Sequence, residues 1–207
     1  MSWKLTSTVL IYESPNYNWD GKVVIFDFDW TLVKPKGKRK HANSGTDWQL
    51  WDPSVKKKLH QLRDSGYAFV IMSNQNSRRK ERENIIKQRL EAFVKEVGCH
   101  FLAFFAMKAN IFRKPHIGLW SVLKAKYKDR GHSLPQKKFC TYIGDAAGRD
   151  SSEKDCRKIP KDHSDSDRAF AYNLRNMEFI VPEVFFKKYS KSEVRKLRWT
   201  SNIVPPE

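Results

Sequence analysis

Apolar and polar positions along this chain follow two alternating periods. Thr8–Tyr12 (TVLIY), Lys22–Phe28 (KVVIFDF), Tyr67–Met72 (YAFVIM), Phe101–Ala106 (FLAFFA) and Phe139–Ile143 are short, nearly unbroken apolar runs. Their β-branched and aromatic content reads as buried strand. Between them the period lengthens. Asp52-Pro53 offers an N-cap and a first-turn proline, so a helix is predicted to about Ser65, stopped by Gly66. Arg79–Val97 places Ile85, Ile86, Leu90, Phe93, Val94 and Val97 on one face, and Gly98 ends it. Pro115–Lys128 carries Ile117, Trp120 and Leu123 at helical spacing. Asp167–Leu174 and Pro182–Tyr189 read as short helices around a strand near Phe179–Val181. Strands alternating with helices predict an α/β fold, a doubly wound and mostly parallel sheet with helices on both faces. Ligands bind such sheets at the carboxyl ends of the strands.

Those ends are where polar residues gather. Lys22–Phe28 runs into Asp27-Phe28-Asp29-Trp30-Thr31. Two carboxylates two residues apart suit a divalent cation, because hard cations take oxygen ligands. An acidic strand end is also ordinary turn chemistry. The next strand ends in Ser73-Asn74, whose hydroxyl and amide can hold a phosphate. Arg113-Lys114-Pro115 precedes a predicted helix, and Gly144-Asp145 closes the strand ending at Ile143. Each pair alone is common in loops; their order along one sheet is not.

Charge narrows the partner. The 207 residues carry 40 Lys+Arg and 23 Asp+Glu, a formal charge of 40 − 23 = +17. Such an excess draws polyanions by steering and counterion release, nucleic acid foremost. With 40% hydrophobic and 13% aromatic residues, the chain is too apolar for a disordered basic tail. No apolar run reaches a membrane span of about 20 residues, and Met1–Thr8 lacks a signal-peptide layout. Cys99, Cys140 and Cys156 are odd in number and scattered, which favours a reducing, intracellular compartment. The six histidines form no metal-ligand spacing with them. Cys140 falls in a predicted core strand, as a small buried residue.

Taken in order, Asp-x-Asp-x-Thr, Ser-Asn, Lys and Gly-Asp resemble the haloacid dehalogenase (HAD) superfamily of aspartate-dependent phosphatases. Further stretches are similar to the polynucleotide kinase 3′-phosphatase family: Ser44-Gly45-Thr46-Asp47-Trp48, Ser73-Asn74-Gln75, Phe112-Arg113-Lys114-Pro115, Gly144-Asp145-Ala146-Ala147-Gly148-Arg149 and Asp167-Arg168-Ala169-Phe170-Ala171-Tyr172-Asn173. The resemblance spans residues 8–190. It implies a Mg²⁺-dependent phosphatase that removes 3′-phosphates from nucleic-acid ends, those of DNA strand breaks under repair. Asp27 is then the nucleophile and Asp29 the general acid and base. Ser73 and Asn74 bind phosphate, and Lys114 stabilises its charge. Asp27, the backbone carbonyl of Asp29 and Asp145 hold Mg²⁺, with Asp150 and Asp162 behind them. Trp30 stands where the family usually has Gly, and Ser73 where it usually has Thr. No Gly-x-x-x-x-Gly-Lys-[Ser/Thr] loop occurs, so no 5′-kinase activity is expected.

Spacing bears on substrate size. Ser73 lies 73 − 29 = 44 residues after Asp29, and Lys114 lies 114 − 73 = 41 after Ser73. A helix and a strand use most of each interval, which leaves no room for a large cap domain. An open cleft admits a polymer end. Arg113, Arg78, Arg79, Lys80 and Lys36 are the expected nucleic-acid contacts, within wider basic runs at Lys34–Lys40 and Arg78–Lys80. Trp48 or Trp51 is a candidate for stacking on a base. Residues 1–190 are read as one phosphatase domain and 191–207 as a basic tail, extending the charge of Lys187 and Lys188 through Lys191, Arg195, Lys196 and Arg198. The expected protein is a monomer without membrane contact, and its function suggests a nuclear address. Two rivals remain: a phosphatase of small phosphomonoesters or phosphoproteins, and a binding module that lost turnover.

Overall fold

Seven strands form one sheet in the order β1-β2-β7-β6-β3-β8-β9 in this computed structural model. Residues 2–6, 8–75, 80–149, 161–175 and 177–186 are described. The parallel part comprises β3 (Lys22–Phe26), β6 (Tyr67–Asn74), β7 (Phe101–Ala106), β8 (Thr141–Ile143) and β9 (Glu178–Ile180). β2 (Val9–Glu13) joins β7 antiparallel, and β1 (Ser2–Leu5) extends that edge. The sequence reading missed β1 because its residues are mostly exposed and carry no apolar run. A two-stranded hairpin, β4 (Val33–Lys34) with β5 (Gln49–Leu50), was equally silent in the sequence.

Alternation along the buried strands feeds two cores. Val24, Phe26, Phe69, Ile71, Ala103 and Phe105 face α1 (Ser54–Asp64) and α2 (Lys80–Val97), meeting Val55, Leu59, Ile86, Leu90 and Phe93. Val23, Ile25, Val70, Met72 and Phe104 face the other way, toward α3 (Gly118–Asp129) and α4 (Ser166–Asn173). Each strand is therefore apolar on both sides, which explains continuous runs in place of alternation. Gly66 and Gly98 take left-handed φ of 79° and 62° where α1 and α2 stop, a conformation glycine adopts without a Cβ clash.

Three expectations shift. α3 begins at Gly118, three residues after Pro115, so Ile117 precedes the helix and is 40% exposed. Lys137–Phe139 forms a 3-10 turn, which puts Phe139 outside β8 and 64% exposed. Cys140 is buried as expected, just ahead of β8. The last helix is α5 (Pro182–Phe185), with later residues outside those described.

The chain order places a topological switch beside β3. From β3 the sheet grows outward through β6 and β7, then resumes on the other side with β8 and β9. Strands that diverge in this way leave a crevice at their carboxyl ends. The crevice lies between Phe26 and Ile143, next to Asp27 and Asp145.

Candidate active site

Asp27 is the first residue beyond β3, and its amide still donates to the Ile143 carbonyl at 2.8 Å. That bond fixes its side chain at the sheet's rim. A tight turn follows: Leu32 and Val33 amides donate to the Phe28 carbonyl, and the Trp30 amide donates to Val33 O at 2.6 Å. Trp30 closes this turn at φ 60°. A bulky residue there costs about 1–3 kcal/mol of backbone strain, which glycine avoids.

Lys114 enters from the β7–α3 connection and is almost wholly buried. Its Nζ donates to Asp27 Oδ1 (2.8 Å), Asp167 Oδ1 (2.6 Å), Tyr142 Oη (2.7 Å) and Met72 O (2.7 Å). Three protons serve four acceptors, so at least one bond is shared. Asn74 holds the Lys114 backbone from both sides. Its Oδ1 accepts from Lys114 N at 2.8 Å, and its Nδ2 donates to Lys114 O at 2.9 Å. The Asn74 side chain thus aims the lysine, whereas the phosphate role implied by the resemblance falls to its backbone amide.

Asp167 is the residue the sequence reading left without a role. It lies in the first turn of α4, wholly buried, on the side that carries Phe170 and Ala171 into the core. An aspartate within that apolar stripe was the available signal. Its Oδ2 accepts from Ala146 N at 3.1 Å. A Cβ on Gly144 would stand 2.3 Å from the same oxygen, so glycine is what lets Asp167 reach the rim.

Oxygens of Asp27, Asp145 and Asp167 lie within 4.8 Å of one another. Three carboxylates and the Lys114 ammonium sum formally to −3 + 1 = −2, a deficit that one divalent cation would balance. Hard oxygen donors in this number fit Mg²⁺ or a similar ion. The charge imbalance is visible in their proton affinities. Burial, reinforced by Asp167 and opposed by Lys114, raises the Asp27 carboxyl to about 7. Burial with Asp167 and Asp27 lifts Asp145 well above the carboxylate range. Burial pulls Lys114 down, but Asp167 and Asp27 more than reverse it and keep the ammonium charged. Thr31 Oγ1 donates to Asp145 Oδ1 at 3.3 Å, which gives the threonine of Asp-x-Asp-x-Thr a place in the cluster.

The Asp29 carboxylate is turned elsewhere. Gln75 Nε2 donates to Oδ2 at 2.8 Å, and Arg89 Nη2 pairs with Oδ1 at 2.5 Å. Arg89 is 3% exposed, on the apolar face of α2 between Ile86 and Phe93. An arginine within an apolar stripe was a signal the sequence reading passed over. Ser73, at the end of β6, is buried, and its hydroxyl accepts from Gln75 Nε2 at 3.2 Å. It sits beneath the cleft wall, whereas Asn74 is on it.

The cleft above these groups has a volume of about 500 Å³. Its acidic floor, with Asp27, Asp29 and Asp167, is ringed by Lys40, Arg82, Arg89 and Arg113. Arg113 was expected there; its Nη1 also donates to Gln75 O at 2.9 Å. Lys36 is exposed beside the β4–β5 hairpin and does not line the cleft. Arg78, Arg79, Asp150, Cys156 and the basic tail lie outside the described residues, as does the side chain of Lys80. Lys40, the last residue of the Lys34–Lys40 run, lines the cleft, as does Arg82, which the sequence reading did not single out. Trp48 and Trp51 do not stack at the cleft. Trp48 meets Phe93 and Trp51 meets Phe186, both with the α1–α2 core.

Asp162 stands behind the cluster in a separate role. Its Oδ2 accepts from Ala147 N, Arg149 N and Arg149 Nε, and its Oδ1 from Arg149 Nη2. Arg149 also donates to Glu183 of α5 and to the Asp145 carbonyl. This ion cluster ties the Gly144–Arg149 loop to the chain's last described helix.

A family model described as polynucleotide kinase 3 phosphatase matches residues 22–186. The chain belongs to this family. It is 32% identical over 192 residues to a bifunctional polynucleotide phosphatase/kinase of Schizosaccharomyces pombe, covering 92% of this chain and 43% of that protein. It is 31% identical over 207 residues to the polynucleotide 3′-phosphatase ZDP of Arabidopsis thaliana, covering 92% and 28%. The chain therefore spans less than half the length of either relative. A solved protein from Mesorhizobium loti, described as HAD-like, shares the fold at a TM-score of 0.53, with 13% identity over 68% of this chain and 71% of that one. Membership accounts for the motif order, and the HAD-like architecture bears out the doubly wound reading. Among the described residues, no helix is long and apolar enough to cross a membrane.

Proposed function

We propose that this protein is a Mg²⁺-dependent polynucleotide 3′-phosphatase acting on DNA ends in strand-break repair. The observation that carries the reading is Lys114, which clamps one oxygen of Asp27 and, among the described residues, leaves Asp27 Oδ2 without a bonded partner at the cleft floor. Asp27 Oδ2 attacks phosphorus, and the bond to the 3′-oxygen breaks. Asp29, released from Gln75 and Arg89 and protonated from solvent, gives that proton to the 3′-oxygen, leaving a 3′-hydroxyl. Asp29 then takes a proton from water, which attacks the aspartyl-phosphate; phosphate leaves and Asp27 is restored. Lys114 faces the charge on both transfers. Asp27 and Asp145, with Asp167 beside them, would hold Mg²⁺, which supplies charge neutralisation on the phosphoryl oxygens. Lys40, Arg82 and Arg113 receive the backbone of the strand. The cations around the cleft, Lys40, Arg82 and Arg113, and the +17 charge favour a polymer end over a free metabolite. The reading places the protein, as a monomer, wherever DNA is repaired, the nucleus in a eukaryotic cell.

The test is phosphate release from matched 3′-phosphorylated DNA and RNA oligonucleotides and from an aryl phosphate, with Mg²⁺ or with EDTA. Efficient release from DNA, lost in EDTA, is the expected result. Saturable turnover of the aryl phosphate with none from either oligonucleotide would replace this reading with a small-substrate phosphatase.

A further inference from the structure

Trp30 occupies a position whose backbone asks for glycine. Its φ of 60° is left-handed, and the hydrogen bonds of its turn are made by main-chain atoms that any residue supplies. The turn itself therefore gains nothing from an indole here, and a bulky side chain makes it harder to form. The ring does not serve the core either. Trp3, Trp19, Trp48 and Trp51 each contact another aromatic ring, and Trp120 is 5% exposed. Among the described residues no other ring stacks on Trp30, which is half-buried and lines the cleft.

The ring is nevertheless held in place. Its Nε1 donates to Lys40 O at 2.9 Å, so the one polar atom of the indole is satisfied by the loop beyond β4. What remains to meet the cleft is an apolar aromatic surface among charged neighbours, Lys40, Arg82 and Arg113. A fixed aromatic surface beside phosphate-seeking cations is the makeup of a single-strand nucleic-acid site.

Chemistry decides which nucleotide it meets. Asp29 protonates the leaving oxygen, so the leaving group approaches on the Asp29 side. Trp30 is the next residue along the chain. The leaving group is the 3′-oxygen of the terminal nucleoside, and that nucleoside's base is the apolar face within reach.

We propose that Trp30 is a specificity-determining residue that stacks on the base of the terminal nucleotide, the one bearing the 3′-phosphate. This rests on the polynucleotide 3′-phosphatase reading above. It makes the protein selective for ends that retain a base over ends left as bare sugar phosphate.

The experiment uses two 3′-phosphorylated oligonucleotides, alike except that one ends in a normal nucleotide and the other in a tetrahydrofuran abasic residue. Wild type, Trp30→Phe and Trp30→Leu are compared on both, with thermal melting as a check on folding. Wild type is expected to favour the base-bearing end by about tenfold in kcat/KM, mainly through KM. Trp30→Leu should erase that preference by losing activity on the base-bearing end alone, and Trp30→Phe should keep most of it. Equal loss on both ends, or a gain on both, would make Trp30 a wall or an obstruction and overturn the proposal. A wild type that releases phosphate from both ends without preference also overturns it, while leaving the 3′-phosphatase reading intact. A wild type inactive on both but active on an aryl phosphate overturns that reading, and the stacking role with it.

Discussion

Two buried ion clusters draw on the Gly144–Arg149 loop, one through Asp145 and one through Arg149, and they differ in what they leave open. Both hold one cation between two carboxylates. Arg149 joins Asp162 and Glu183, and Lys114 joins Asp27 and Asp167. In the first, the guanidinium is satisfied on every side, and Asp162 also accepts from two backbone amides. Burial pulls the Arg149 proton affinity down, but Asp162 and Glu183 more than restore it. In the second, a third carboxylate, Asp145, adds charge that Lys114 cannot offset, and among the described residues Asp27 keeps a free oxygen at the cleft. The same materials make a strut in one place and a reacting centre in the other. Completeness of pairing is the difference. A closed cluster stabilises, whereas an incomplete one stores an electrostatic demand for a cation and a phosphoryl group.

Asp27→Asn is the strongest way to break the comparison. It should reduce phosphate release to background, measured on a 3′-phosphorylated oligonucleotide, and leave melting unchanged or higher, because it removes one uncompensated buried charge. Arg149→Met comes next and acts in the opposite sense. Removing the cation strands Asp162 and Glu183, and stability should fall by about 3–5 kcal/mol in denaturant titration. The folded fraction should keep its activity within about tenfold, since among the described residues Arg149 touches the cluster through the Asp145 carbonyl alone.

Asn74→Ala tests how finely Lys114 must be aimed. Both hydrogen bonds to the lysine backbone are lost. A fall in kcat of about tenfold is expected, with a stability loss of about 1–2 kcal/mol. Conversion of KM alone would point to phosphate binding as its main role.

The smallest effect belongs to an inverted, more exposed cluster, Glu13 between Lys126 and Arg130. Partial burial raises the Glu13 carboxyl, but the two cations outweigh it and hold the group below its ordinary value. A depressed carboxylate stabilises the fold above its unfolded-state value of about 4.3 and loses that contribution as pH falls through the folded-state value. Glu13→Gln should therefore cost about 1 kcal/mol at pH 7 and progressively less as pH falls below the unfolded-state value, read by melting across that range.

The sequence was most informative where one residue type serves one end. Strand cores declared themselves as apolar runs because both sheet faces are covered. Asp27, Lys114 and Asp145 stood out because each follows or flanks such a run. Arg89 and Asp167 were hidden by the same logic, since each lies within a helix's apolar stripe and periodicity assigns that face to the core. Only the fold shows that α2 and α4 bring those faces to the crevice. Trp30 was noticed as a departure, but its meaning depends on a backbone angle that no spacing reveals. Asp162 was placed near the metal because it is acidic and follows the loop. Its four bonds to the loop, three of them from Arg149, show how it would act from behind, by bracing the loop that carries Asp145.

One paired measurement addresses the central claim directly: phosphate release from a 3′-phosphorylated DNA oligonucleotide and thermal melting, on the same preparations of Asp27→Asn and Arg149→Met. Loss of release with intact melting in the first, and lowered melting with retained release per folded molecule in the second, is the predicted result. Release persisting in Asp27→Asn, or vanishing in a fully folded Arg149→Met, would contradict the division of the two clusters into reacting centre and strut.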